Sequence, residues 1–165
     1  MTPEQSKLLC KVFLDTIEQE AETTKKVIKA VPEDRKGYKP DPKSKTAHEL
    51  AWHIASSEVW FMDGVLAGQF SMEEGPAAPP TISGIVEWYA TNHRDRANKL
   101  KDLAADRLVK PILLFGDAAL PAVSYLNIQN LHSAHHRGQL STYLRPMGSK
   151  IPSIYGGSAD EPMAM

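Results

Sequence analysis

An all-α fold, a bundle of four long helices, is what the sequence predicts, and three observations carry that expectation. Four segments space their apolar residues at the 3.6-residue helical period. Two of them open on capping boxes, in which a Thr is followed three residues later by Gln or Glu. The connections concentrate Pro and Gly, which interrupt regular structure. With 165 residues the chain has the length of one domain, taken here as 1–165, and no internal repeat or linker divides it.

The first helix starts at Thr2-Pro3-Glu4-Gln5, with Thr as N-cap, Pro in the first turn and Gln closing the capping box. Leu8, Leu9, Val12, Phe13, Ile17, Val27 and Ile28 form its expected buried stripe, and Pro32 ends it. From Pro32 to Lys45 there are three prolines, one glycine and five Lys or Arg, without a period, which reads as a surface loop. The second helix opens at Thr46-Ala47-His48-Glu49 and runs to about Ala67, burying Leu50, Ala51, Ile54, Ala55, Phe61, Met62 and Val65. Gly68 to Pro80 is a long break. The third helix begins near Thr81 with Ile82, Ile85, Val86, Tyr89, Leu100 and Leu103 inward.

Leu108 to Gly116 is too short for an ordinary helix and carries Pro111, so a short extended segment is expected between helices three and four. The fourth helix follows Pro121, with Val123, Leu126, Leu131, Leu140, Tyr143 and Leu144 on its apolar side, and stops at Pro146 and Gly148. Ser149 to Met165 is rich in Pro and Gly and is expected to wrap the surface or stay unstructured.

Composition narrows the function. Apolar residues at 42% and a formal charge of −1 describe an ordinary globular protein with no cationic surplus for a phosphate backbone, so nucleic acid is not an expected partner. No stretch approaches the roughly 20 apolar residues of a membrane span, which leaves no expected membrane partner. The polar start lacks a signal-peptide core, so the expected location is cytoplasmic. Cys10, the single cysteine, lies off the main stripe of helix one and has no cationic neighbour to make it reactive.

Histidine is where chemistry is concentrated. His132 and His136 stand four apart on helix four, so their side chains stack on one face and are able to converge on one cation. Ile128 and Leu140 flank them, which points the pair toward the bundle interior. His53, beside Leu50 and Ile54 on the second helix, is the strongest candidate for a third ligand, and Trp60 shares its side. His48 is about 140° from His53 around the wheel and belongs to an exposed first turn. His93 aligns with Val86 and is a core residue or a neighbour of the ligands, whereas His135, about 100° from His136, faces elsewhere. Arg137 reads as a salt-bridged surface residue. Gln139 either packs between helices or hydrogen-bonds a ligand near the metal.

The segment from His132 through His136-Arg137-Gly138-Gln139 to Gly148, together with Lys45-Thr-Ala-His-Glu-Leu-Ala-Trp-His53 and Glu58, resembles the DinB/YfiT-like superfamily of metalloenzymes. The likeness covers nearly the whole chain, and its most specific part is the histidine pair followed by Arg-Gly-Gln. It implies a four-helix bundle of up-down-down-up connectivity, a homodimer, and one divalent metal ion per chain, zinc or nickel, on His53, His132 and His136. Three histidines leave a tetrahedral ion one open position, as catalytic sites do. The superfamily includes thiol-dependent transferases and isomerases using low-molecular-weight thiols such as bacillithiol, mycothiol or glutathione, so the implied chemistry is a metal-held thiolate attacking a small-molecule electrophile. A hydrolase using bound water and a non-catalytic, metal-stabilised bundle are the alternatives. Catalytic acid and base residues are not assigned, since Glu58 does not share the face of His53.

Overall fold

The helix starts form where the capping chemistry dictates. Thr2 and Thr46 each accept from the backbone three residues on, while the side chains of Gln5 and Glu49 reach back to the cap N–H, so both capping boxes are complete. Thr81 caps the third helix through Gly84 N. Gly68 ends the second in the left-handed conformation, at φ +79°, where a side chain would be strained.

The computed structural model describes residues 1–114 and 119–163. In it the chain is mostly helical: α1 (Pro3–Lys29), α2 (Ala47–Ala67), α3 (Ile82–Lys101), a single-turn α4 (Ala105–Leu108) and α5 (Ser124–Leu144), with a 3-10 turn at Glu33–Arg35. The extended segment expected before the last long helix is narrower than its sequence suggested. Leu108 closes α4, and only Pro111–Leu113 (β1) is a strand, paired antiparallel with Ala119–Pro121 (β2) so that Ile112 faces Leu120. Pro111 takes the first strand position, where its missing N–H is tolerated. Phe115 and Gly116 lie outside the described residues.

α1 and α2 meet each other little and both pack against α3 and α5. α1 runs opposite to α3, since Lys7 Nζ donates to Lys101 O at 2.7 Å near one end while Ala21 and Lys25 line one concavity with Tyr89 and His93 toward the other. α2 and α3 run alongside each other, tied by Tyr89 to Glu58 and by Arg96 to Asp63. α5 is antiparallel to α2 through His53 and His136, and parallel to α1 through Arg137 to Thr24 and Ser149 to Ala30.

The apolar core forms two clusters. One holds Ile28, Leu50, Ile54, Ile85, Leu140 and Leu144, the other Leu14, Ile17, Met62, Leu100 and Leu126. Between their levels α2, α3 and α5 contribute buried polar side chains: Glu58, His93, Gln129, Ser133 and Arg137. Arg137 is 1% exposed, which corrects its reading as a surface residue. Its guanidinium donates to Thr24 Oγ1 at 2.8 Å and pairs with Glu20 and the Tyr155 hydroxyl, so its charge is matched where it is buried.

Two faces depart in part from their expected settings, although Ile17, Val27 and Ile28 on α1 and Leu126, Leu140, Tyr143 and Leu144 on α5 are buried as expected. Leu8 and Val12 are exposed, and α1 instead buries the ladder Ser6, Cys10, Leu14, Ile17, Ala21, Thr24 and Ile28. Cys10 is thus a core residue. Ser6, Cys10 and Thr24 are small or polar, which weakened the sequence signal for this face. On α5 Leu131 is exposed, because the inward rungs are Leu126, Gln129, Ser133, Arg137 and Leu140. The terminal segment wraps the surface over its described residues, fixed by Ser149 to Ala30 O and Arg145 to Asp160.

Candidate metal centre

α2 and α5 present three half-buried imidazoles to one another. His53 Nε2 and His136 Nε2 are 3.2 Å apart, and the rings of His53, His132 and His136 lie 4.4–5.1 Å from each other between centroids. One nitrogen from each ring falls within 4.8 Å of the other two. The helix spacing causes this: His132 and His136 are one turn apart, and antiparallel packing brings His53 alongside both. Because the centre of α5's inward face belongs to Ser133 and Arg137, the histidine pair points to the edge of the core and a cleft, not to its middle.

The hydrogen bonds assign the tautomers. His136 Nδ1 meets Gln139 Oε1 at 2.9 Å, an acceptor, so Nδ1 carries the proton and Nε2 a lone pair. Ser57 Oγ donates to Ile54 O at 3.2 Å, leaving its oxygen to accept from His132 Nδ1 at 3.4 Å, which frees His132 Nε2 in the same way. Burial and the facing His136 push the pKa of His53 down to about 4. Burial, with His136 and His53 adding repulsion, does the same to His132, to about 4. Both rings are therefore neutral at pH 7, the form in which imidazole ligates.

The donor set fits a divalent ion. Bonds of ~2.0–2.1 Å at tetrahedral angles put ligand nitrogens ~3.3 Å apart, close to the 3.2 Å between His53 and His136. Among the described residues no other His, Cys, Asp or Glu joins the cluster, so the protein offers three ligands and an open side.

That side opens on a cleft of about 710 Å³ lined by His53 and His132. Trp60, Phe61, Trp88 and Ile128 give it apolar walls, and Asn92 with the Arg96–Asp63 pair (3.0 Å) gives it a polar end. Trp60, expected near His53, lines the cleft and is held by donation from Nε1 to Ser71 O at 2.9 Å. Gln139 orients His136. His93 is buried but stands on the other side of the core polar layer, 3.6 Å from Glu58 Oε2 and away from the three-histidine group. His48 is half-buried instead of exposed, its Nε2 meeting Pro79 O at 2.8 Å and fixing the break between α2 and α3. His135 packs edge-on against His136 from the solvent side.

Sequence reasoning missed Ser57 and the Glu58 network. Glu58 is 3% exposed, and accepts from Tyr89 Oη at 2.6 Å and Thr24 Oγ1 at 3.2 Å. Burial raises its pKa against those donors. The signal available was its position, the next rung after Leu50 and Ile54 on the apolar ladder of α2.

The profile of the DinB family matches residues 4–163, nearly the whole chain. The chain belongs to the DinB family. A curated relative, "Uncharacterized protein YrdA" of Bacillus subtilis (strain 168), is 26% identical over 150 residues, 90% of this chain and 89% of its own length. Crystal structures of two DinB-like proteins share the fold. One, from Bacillus cereus ATCC 10987, is 23% identical with a TM-score of 0.74 over 87% of this chain and 95% of that one. The other, from Bacillus subtilis, is 22% identical with a TM-score of 0.68 over 86% and 96%. DinB membership fits the three-histidine cluster, and no helix among the described residues is long and apolar enough to cross a membrane.

Proposed function

We propose that this DinB-family chain is a divalent-metal-dependent enzyme, with His53, His132 and His136 as ligands, that transfers a low-molecular-weight thiol onto a small electrophile. The observation that carries this reading is the open side of the three-histidine group, which faces a cleft large enough for a small molecule. A closed, four-ligand site would have favoured a structural role. When bound, zinc or nickel would supply Lewis acidity that favours a thiolate over a thiol at neutral pH.

The chain's own residues do the rest. Gln139 and Ser57 hold His136 and His132 as Nε2 donors. Trp60, Phe61 and Trp88 exclude water from the cleft and favour an electrophile with an apolar body. The reacting thiol is external, because Cys10 is buried and burial pushes its pKa up. Four long helices, α1 and α5 running one way and α2 and α3 the other, support reading the fold as an up-down-down-up four-helix bundle. The proposal places it in the cytoplasm as a homodimer, and exposed Leu8 and Val12, one turn apart on α1, supply an apolar face for a second copy.

The test is a thiol-consumption assay with a simple aromatic electrophile, using metal-loaded protein and glutathione, bacillithiol or mycothiol in turn. Turnover that needs both metal and one thiol, and is lost in His132→Ala, is expected. Ester hydrolysis by the loaded protein with no thiol requirement would replace this reading with that of a hydrolase.

A further inference from the structure

A second cleft, of about 490 Å³, lies on the other side of His53. His53 and Ser56 belong to both clefts, so the two meet at the candidate metal ligand. Their chemistry differs sharply. The first has apolar walls, whereas the second is lined by Lys39, Lys43 and Lys45 together with His48, Glu49 and Trp52.

None of these three lysines forms an ion pair among the described residues, although Lys25, Lys36, Lys99 and Lys101 each do. Glu49, the carboxylate that shares the cleft, is engaged as the capping-box partner of Thr46, at 2.7 Å from its nitrogen, and Asp41 accepts from Lys43 N. The other N–H groups at the start of α2 are occupied as well, Ala47 N by Tyr38 O and His48 N by Lys36 O, so an incoming anion would meet the lysines and not the helix end. Three unpaired cations around one concavity repel one another, an arrangement stabilised by an anion.

The loop that carries them is fixed. Lys43 N donates to Asp41 Oδ1 at 2.8 Å, and Ala47 N to Tyr38 O at 2.8 Å. His48 N donates to Lys36 O at 2.9 Å, and the Tyr38 ring packs edge-on against Tyr143 at 5.9 Å. The backbone of the lysine loop is thereby pre-shaped, which lowers the ordering cost of binding.

We propose that this lysine-lined cleft binds the anionic end, carboxylate or phosphate in class, of a small-molecule ligand whose remainder reaches past Ser56 to His53. The assignment rests on the metal-site reading for its second half only. In that reading the ligand is the cosubstrate, entering from the cationic side while the apolar electrophile occupies the other cleft.

Calorimetric titration of the metal-loaded full chain with succinate, with inorganic phosphate and with neutral succinamide tests it. Wild type should bind at least one of the two anions, more weakly as salt is added, and should not bind succinamide. Succinate binding without phosphate binding identifies a carboxylate ligand, and the converse a phosphate. The triple variant Lys39→Gln, Lys43→Gln, Lys45→Gln should weaken that binding at least about tenfold, with helical circular dichroism and metal content unchanged. No binding of either anion by wild type, or equal binding by the triple variant, overturns the proposal. His132→Ala separates the two readings: loss of metal with anion binding retained counts against neither cleft nor lysines, whereas anion binding lost in His132→Ala and intact in the triple variant places the anion on the metal and removes the lysine site.

Discussion

His136 Nδ1 lies 2.9 Å from Gln139 Oε1, one turn further along α5, and this bond leaves His136 Nε2 facing His53. Residues that fix the far nitrogen of a ligating imidazole commonly govern metal affinity by ~10–100-fold. Gln139→Leu is therefore expected to weaken zinc or nickel binding by about that factor while leaving the helical spectrum intact. Competition against a chromophoric chelator reads the change, and unaltered affinity would show that Gln139 only packs.

Arg137 is anchored to α1 by Thr24 and Glu20 and to the terminal segment by Tyr155. Removing one partner of a buried charge network strands the others, so Arg137→Ala should cost about 2–4 kcal/mol in urea unfolding. The partly exposed Glu20 can rehydrate, which keeps the loss below the largest values known for buried pairs. A loss under ~0.5 kcal/mol would mean that the network is not formed.

The core polar layer makes stability depend on pH. Burial pushes the pKa of His93 down to about 4, against about 6.5 for an unfolded histidine. Between these values the unfolded chain binds the proton and the folded chain does not. His93 therefore contributes stability above pH ~6.5 that is lost toward pH ~4, with a slope of at most about 1.4 kcal/mol per pH unit. Glu58 acts in the opposite sense, because burial raises its pKa and its ionisation costs stability as pH rises. In metal-free protein His93→Gln should flatten the acid loss and Glu58→Gln should steepen it, as denaturant midpoints across pH 4–7 would record.

Gly64 keeps the break after α2 close to the helix. A methyl there would overlap the Phe70 ring, and that ring is held between Trp60 and Tyr125 at 4.6 and 4.8 Å. Gly64→Ala should destabilise by about 1–3 kcal/mol through overpacking and alter the emission of Trp60 on the cleft wall. Unchanged stability and emission would show that Phe70 moves freely.

Helix starts were legible because their chemistry is local: Thr2 with Gln5 and Thr46 with Glu49 satisfy backbone donors within one turn. The histidine group was legible for a related reason, since the four-residue spacing of His132 and His136 survives any packing of α5. The faces of α1 and α5 were legible only in part, because their central inward rungs include Thr24, Gln129, Ser133 and Arg137 while Leu8, Val12 and Leu131 stay outside. A buried polar layer reverses the hydrophobic pattern on which such assignments rest, and its partners, Arg137 with Glu20 and Glu58 with Tyr89, are remote in sequence. The lysine cleft was invisible for the opposite reason: it depends on where a loop without a period folds back.

The most direct measurement is elemental analysis of tag-free protein purified without chelator, for wild type, His53→Ala, His132→Ala, His136→Ala and the control His48→Ala, whose imidazole meets Pro79 instead of the cluster. The three-histidine centre predicts roughly one zinc or nickel per chain in wild type and in His48→Ala, and its loss from the other three variants. Equal metal content in all five proteins, or a wild type that holds none even after reconstitution, would contradict it.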